Sequence, residues 1–258
     1  MSDLVAVARE NLAFTYQTLA QAVYPQGVKQ GLGYTYCNED PSLVLASFAI
    51  GFDIPEASLS EAVTELTAHC VENPLFRLFT TDGDTPPSLP AQLAMQGFLR
   101  FSVMDVLAWE ESVAPPAPDL YGLQLVEAIE PAARTRLAQF MVSIFFTRRS
   151  PSLRRLVVHS TAGSPHRLFA LKSDKTIVGG LMLSESEGAL GLYNLCLDAR
   201  YRRRRFGTAL VSIAKSIAVA QNLPLVLQSD PSLGTWYVQN SFRSIGKVQI
   251  FGQSTTKS

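Results

Sequence analysis

The stretch Tyr193-Asn-Leu-Cys-Leu-Asp-Ala-Arg-Tyr-Arg-Arg-Arg-Arg-Phe-Gly-Thr-Ala-Leu210 decides how the chain folds. It starts as an apolar strand, passes through an arginine-rich turn and enters a helix near Gly207. In that helix Leu210, Ile213, Ala214 and Ile217 share one face. The first turn of a helix carries backbone N–H groups without intrahelical partners, together with the positive end of the macrodipole. A turn with arginines beside such a helix start is an anion site, and phosphate is its natural guest. A run of arginines also suits a solvated basic loop, but its place between a strand and a helix favours the anion site.

Elements of the same kind continue on both sides. Leu123 to Glu127 reads as a strand and Pro131 to Phe146 as a helix with proline in its first turn. Arg167 to Leu171 and Thr176 to Leu183 read as a hairpin around Lys172-Ser173-Asp174, and Gly188 to Asp198 as the strand of the opening motif. The helix over Gly207 to Gln221 is followed by Leu223 to Gln228, Pro231 to Asn240 and Phe242 to Phe251 as strand, helix and strand. In the first half the spacing predicts a helix over Asp3 to Ala22, a strand over Leu43 to Phe52 and a helix over Glu56 to Val71. A strand over Leu75 to Thr80, a short helix over Pro90 to Met95 and a strand over Phe98 to Leu107 follow.

The two halves echo each other. Asn73-Pro74-Leu75 parallels Asn222-Leu223-Pro224-Leu225, and Gln96-Gly97-Phe98 parallels Asn240-Ser241-Phe242. We read this as a decayed tandem repeat joined by Val113-Ala-Pro-Pro-Ala-Pro118, whose prolines stop helix and sheet alike. The division expected is an N-terminal lobe over 1–112, a linker over 113–118 and a C-terminal domain over 119–258.

The decisive stretch resembles the GNAT superfamily of acyl-CoA N-acyltransferases. Their strand ending Leu-x-Val, x-Pro-x-Tyr-Arg segment and Arg/Gln-x-x-Gly-x-Gly/Ala turn are matched by Leu195-Cys196-Leu197, Asp198 to Arg202 and Arg202 to Gly207. The family's Tyr-x-x-x-Gly-Phe appears as Tyr237-Val-Gln-Asn-Ser241-Phe242, and the likeness covers about residues 120–252. It implies an α+β (α/β/α) fold with a mixed, mostly antiparallel sheet, preceded here by a smaller, degenerate GNAT-like lobe. It also implies that amides of Arg203, Arg204, Arg205, Phe206, Gly207 and Thr208, with Arg202 beside them, hold the diphosphate of acetyl-CoA as co-substrate. The splayed strand Leu195, Cys196 and Leu197 would then bond the pantetheine arm and polarise the thioester carbonyl. Tyr237 takes the place of the tyrosine that protonates the departing thiolate.

Two positions depart from the family. Arg205 and Ser241 stand where glycines are usual, and a left-handed conformation there costs an L-residue about 1–2 kcal/mol. Arg205 adds a guanidinium able to pair with phosphate. In the first half, Phe52-Asp-Ile-Pro-Glu56 is acidic where phosphate needs positive charge, and the position echoing Tyr237 is Leu93, so this lobe is not expected to bind CoA.

Composition sets the remaining bounds. With 258 residues, 47% hydrophobic and 17% charged, the chain is neither disordered nor collagen-like. Twenty-two basic residues balance twenty-two acids overall. Residues 1–118 nevertheless carry −10 and residues 119–258 carry +10, so the halves attract each other. The paired arginines 148–149 and 154–155 read as solvated or as facing the acidic half. No aromatic residues interleave those pairs as a single-strand binder would want, and a nucleic-acid role for Arg200 to Arg205 is disfavoured by the acidic half.

Cys37, Cys70 and Cys196 have no metal-ligand or CxxC spacing and are odd in number, which suits a reducing, cytoplasmic compartment. His69, His159 and His166 are scattered, so no metal is expected. Leu43 to Phe52 is about half the length of a membrane span, and the first residues lack the pattern of a signal peptide. Membrane association is therefore not expected. The function expected is direct transfer of an acetyl group from acetyl-CoA to a primary amine, small molecules being favoured over proteins. Cys196, with no histidine base nearby, is not expected to form an acyl-enzyme. The alternative is a catalytically silent GNAT-like binding or interaction protein.

Overall fold

The strand–helix–strand–helix–strand order expected of the first half appears in the computed structural model, which describes residues 3–40 and 46–253. The first half contains α1 (Leu4–Gln21), β1 (Val28–Gln30), β2 (Thr35–Asn38), β3 (Ser47–Ile50), α2 (Leu59–Glu72), β4 (Arg77–Thr81), α3 (Leu89–Met95) and β5 (Leu99–Trp109). The second contains β6 (Gln124–Glu127), α4 (Pro131–Phe145), α5 (Pro151–Gly163), β7 (Arg167–Ser173), β8 (Thr176–Glu185), β9 (Leu190–Leu197), α6 (Phe206–Gln221), β10 (Leu225–Ser229), α7 (Gly234–Gln239) and β11 (Arg243–Gly252). The strand expected over Leu43 to Phe52 narrows to β3, and Leu43 to Leu45 lie outside the described residues.

Three elements were not foreseen. β1 and β2 span only three and four residues, too few for a periodicity to declare itself. α5 starts with Pro151 at its head and the Ser150 hydroxyl accepting a hydrogen bond from the Leu153 amide at 3.3 Å, an ordinary helix start. Arg148 and Arg149 before it and Arg154 and Arg155 within it hid the face carrying Leu153, Leu156 and Val157, which packs on the core.

Among the described residues the strands form one sheet in the order β1-β2-β3-β4-β11-β5-β10-β9-β8-β7-β6. The two halves exchange their last strands. β11 enters between β4 and β5, while β5 enters between β11 and β10, all three junctions being antiparallel. Outside this exchange each half has one parallel pair, β3 with β4 and β10 with β9. The halves are thus related across the β5–β11 pair, as a tandem repeat requires.

One sequence echo corresponds to matching geometry. The Phe98 amide donates to the Leu93 carbonyl at 3.0 Å, and the Phe242 amide to the Tyr237 carbonyl at 3.1 Å. Between them Gly97 has φ +80° and Ser241 φ +61°, the same left-handed helix ending built on different residues. The other echo does not extend to conformation, since Asn222 caps its helix at φ +55° while Asn73 is extended at −136°.

Alternation along the strands sends side chains to two helical layers. Val106, Ala108, Val226 and Val248 face α1, α4 and α5. Leu107, Trp109, Leu225 and Leu227 face α6, and Ala49, Leu78 and Phe251 face α2 and α3. Arg243–Glu110 and Lys247–Asp105 join the basic and acidic halves at 2.5 and 3.3 Å. These pairs are exposed and add little beside the apolar burial.

α1 is fixed by polar contacts as well as packing. The buried Asn11 amide nitrogen donates to the carbonyls of Ser184 and Ala189 at 2.9 and 3.2 Å and to the Ser186 hydroxyl at 2.9 Å. Its oxygen accepts from the Tyr193 hydroxyl at 2.9 Å. β9 carries Gly191 beneath this amide because a Cβ there would overlap both Asn11 and the Tyr193 ring. Asn11→Ala is expected to cost roughly 3 kcal/mol in chemical denaturation, because it leaves several buried partners unpaired. A loss within experimental error would show that α1 does not depend on this network.

Two buried groups make stability depend on pH in opposite senses. Asp84 is 7% exposed, with one oxygen accepting from the Thr81 amide at 2.6 Å, and burial pushes its pKa from 3.8 to about 7. The folded state therefore holds the extra proton between these values, and Asp84 reduces stability as pH rises through that window. His166 is 3% exposed, with Nε2 2.9 Å from the Thr18 hydroxyl, and burial drives its pKa from 6.5 to about 4. The unfolded state takes the proton first, so His166 reduces stability as pH falls from 6.5 to 4. Asp84→Asn should leave the histidine slope alone, giving a urea midpoint that climbs from pH 4 to 6.5 more steeply than in the parent. An unchanged profile would contradict this assignment.

Candidate active site

β9 and β10 run parallel and pair only at Leu190–Leu225 and Gly191–Val226. Beyond Gly191 they part. On its other side β9 stays on β8 but changes register, Tyr193 lying opposite Met182 and Cys196 opposite Gly180, so that Asn194 and Leu195 form a bulge. Asn194 has φ +52°, a conformation asparagine tolerates better than most residues, and the bulge bends the strand away from β10.

The corresponding wedge of the first half is closed. β3 pairs with β4 from Phe48–Arg77 to Ile50–Phe79, and the chain beyond is bridged again between Asp53 and Thr85. The Thr85 amide donates to the Phe52 carbonyl at 3.0 Å and the Ile54 amide to the Thr85 carbonyl at 2.9 Å. Phe52 is fully buried behind these bonds. This pairing occupies the strand edges that β9 and β10 leave open.

The turn from β9 into α6 begins with a short 3-10 segment over Ala199–Tyr201. The Asp198 carboxylate takes the Arg200 backbone amide at 2.9 Å and its guanidinium at 3.0 Å, which holds its pKa near 2 and engages Arg200 outside the site. The Arg202 Nε donates to the Leu197 carbonyl at 3.1 Å. Arg203 and Arg205 adopt φ +60° and +63°, so Arg205 does take the left-handed conformation a glycine would have eased. Among the described residues the amides of Arg203 to Thr208 have no partner in the chain, and Ala209 is the first to bond back, to the Arg205 carbonyl at 3.0 Å.

These features open on one cleft of about 430 Å³ passing through the gap between the parted strands. Of the residues expected from sequence, Leu195, Cys196, Leu197, Arg202, Arg203, Arg205, Gly207, Thr208 and Tyr237 line it. Arg204 and Phe206 do not. Arg204 is exposed, and the Phe206 ring is buried in the core, nearly perpendicular to the Tyr121 ring. Sequence reasoning missed Ile144, Phe145, Leu233 and Trp236 on the wall. Trp236 was open to notice as the neighbour of Tyr237, and Gly207 lets its indole close on the helix start, where a Cβ would stand 3.2 Å from the ring. Ile144 and Phe145 carry no sequence signal, since nothing local says that the end of α4 faces the gap.

Tyr237 is 7% exposed and packs edge-on against Phe242, ring centroids 5.5 Å apart. Burial raises its pKa to about 12, so it carries its proton throughout the neutral range. The Cys196 thiol is likewise pushed up to about 12 by burial, which makes it a poor nucleophile. Among the described residues, the cleft wall carries no carboxylate. Among the described residues no cluster of histidine, cysteine, aspartate or glutamate could hold a metal ion, and no helix is long and apolar enough to cross a membrane.

The acetyltransferase (GNAT) family model matches residues 134–232, from α4 to the turn just before α7. No curated protein matches the chain in sequence. In structure it is similar to a GCN5-related N-acetyltransferase from Kribbella flavida, at 14% identity and TM-score 0.67 over 98% of this chain and 96% of that one. It is similar also to a GCN5-related N-acetyltransferase from Sphaerobacter thermophilus, at 13% identity and TM-score 0.59 over 88% and 82% of the two chains. A tandem GNAT protein from the clavulanic acid biosynthesis pathway matches 97% of each chain at 10% identity and TM-score 0.57. These likenesses concern the fold, with its mostly antiparallel sheet, while the family match falls on the arginine turn and the strands that part beside it. Residues 134–232 therefore match the GNAT acetyltransferase family, within a chain whose fold is similar to that of GNAT acetyltransferases over nearly its whole length.

Proposed function

We propose that the chain is an acetyl-CoA-dependent N-acetyltransferase acting on a primary amine of a small molecule. Residues 119–258 form its working domain, residues 1–112 a degenerate GNAT-like lobe, and residues 113–118 the linker. The observation that carries this reading is the row of unpaired amides from Arg203 to Thr208, set at a helix start beside a strand edge that has lost its neighbour. The amides and the positive end of α6 suit a diphosphate, with Arg203 and Arg205 beside them as further donors. The free edge of β9 at Leu195 to Leu197 offers amide and carbonyl groups to a pantetheine arm, and a backbone N–H there would stabilise an oxyanion.

The chemistry asked of the chain is limited. The acceptor nitrogen bonds to the carbonyl carbon, the carbon–sulfur bond breaks, and the sulfur takes a proton from the Tyr237 hydroxyl, which recovers one from solvent. The proton lost by the amine leaves through water, since no carboxylate lines the cleft among the described residues. Tyr237 suits its role because it remains protonated at neutral pH, while the raised pKa of Cys196 favours direct transfer over an acyl-enzyme. Three free, buried thiols, Cys37, Cys70 and Cys196, suit a cytoplasmic setting.

Titration calorimetry should detect acetyl-CoA binding, and silence at millimolar ligand would overturn the reading. Tyr237→Phe should lower kcat by roughly a hundredfold while leaving the acetyl-CoA Kd unchanged, because only the general acid is removed. Arg205→Gly should raise the unfolding free energy by about 1 kcal/mol by relieving the left-handed conformation. Unchanged stability would show that the turn is not strained there.

A further inference from the structure

A second cavity, of about 530 Å³, lies on the face of the sheet covered by α1, α4 and α5. It meets the donor cleft at the bulge of β9. Leu195 lines the donor cleft, Asn194 lines the second cavity, and Phe145 stands on the walls of both. The cavity belongs to both halves of the chain, since Phe79 and Met104 from the first half face Met141 and Tyr193 from the second. Its walls are mainly aromatic and aliphatic.

The charged residues on that wall are Arg77 and Arg149, with no aspartate or glutamate among the described residues that line it. Arg77 is half-buried, lies over the Phe101 ring at 4.5 Å, and donates to the carbonyls of Pro74 and Phe76, both at 2.9 Å. Neither arginine has a carboxylate within ion-pair distance among the described residues. A partly desolvated guanidinium without a counter-ion is costly, and burial already lowers the Arg77 pKa. Two unpaired guanidiniums beside an apolar chamber are complementary to an apolar molecule with an anionic group.

Resting on the acetyltransferase reading, we infer that the second cavity is the acceptor site and that it takes amines whose apolar body carries a carboxylate, as in an apolar amino acid. The carboxylate pairs with Arg77 and Arg149 while the amine reaches the bulge at Asn194. The same charges explain how a site without a carboxylate base handles the amine. An ammonium entering an apolar chamber beside two cations is disfavoured by desolvation and by repulsion, so it sheds its proton to water and arrives as the neutral nucleophile.

The test uses ligands that differ only in the carboxylate. N-acetyl-L-phenylalanine and N-acetyl-2-phenylethylamine, the products of two matched acceptors, are titrated into the full chain by calorimetry without any donor. The acid should bind at least tenfold more tightly, and Arg149→Gln, at an exposed position that leaves the fold intact, should reduce that preference severalfold. Arg77→Gln should do the same, and the double variant should abolish it. Equal binding, preference for the uncharged ligand, no binding of either at millimolar concentration, or a preference that survives in Arg149→Gln would overturn the inference. A parallel titration with acetyl-CoA reports on the donor cleft alone, so failure there counts against the acetyltransferase reading, while the paired ligands decide the role of this cavity.

Discussion

The parting of β9 from β10 after Gly191 is the constraint on which the rest of the structure depends. A parallel pair normally continues as far as both strands allow, because each lost rung leaves a donor and an acceptor without a partner. Here the separation is built in by the bulge at Asn194 and Leu195 and by the sharp turn into α6. Among the described residues β3 pairs with β4 without such a bulge, the wedge is bridged between Asp53 and Thr85, and Phe52 is buried beside that bridge. Two lobes of common design thus differ by a few backbone hydrogen bonds, and in the proposed function only one of them receives a nucleotide.

The closed lobe is still needed. Its last strand, β5, lies between β10 and β11, so the second half cannot complete its sheet without it. In return β11 completes the first half by lying between β4 and β5. The exchange also brings Arg77, Phe79 and Met104 to the cavity beside the β9 bulge. The first half, whose own strands are bridged shut, therefore supplies walls and charge to a cavity it shares with the second, in keeping with the tendency of binding sites to form between domains.

The motif at 193–210 was legible because its meaning is local. A strand, a basic turn and an amphipathic helix follow one another directly, and the residues around the cleft are mostly the ones that sequence names. The left-handed conformations at Arg205 and Ser241 were legible too, as places where glycine was to be expected. The Gly97–Ser241 echo survives in matching helix endings because a left-handed turn leaves a trace in the residues it tolerates, whereas the Asn73–Asn222 echo has no such counterpart. What could not be read depends on contacts distant in sequence. The strand exchange leaves no signature in β5 or β11, which look like any half-buried strands. Arg149 reads in sequence as solvated or as facing the acidic half, and the cavity it shares with Arg77 exists only once the two halves have been folded against each other.

The most direct test of a diphosphate site at the parted strands is an amide NMR titration of isotopically labelled protein with CoA. The large shift changes should fall on the amides of Arg203 to Thr208 and of Leu195 to Leu197, with the Asp53–Glu56 segment of the closed lobe unmoved. Shifts confined to other surfaces, or an unaltered turn at saturating ligand, would contradict the assignment of that site.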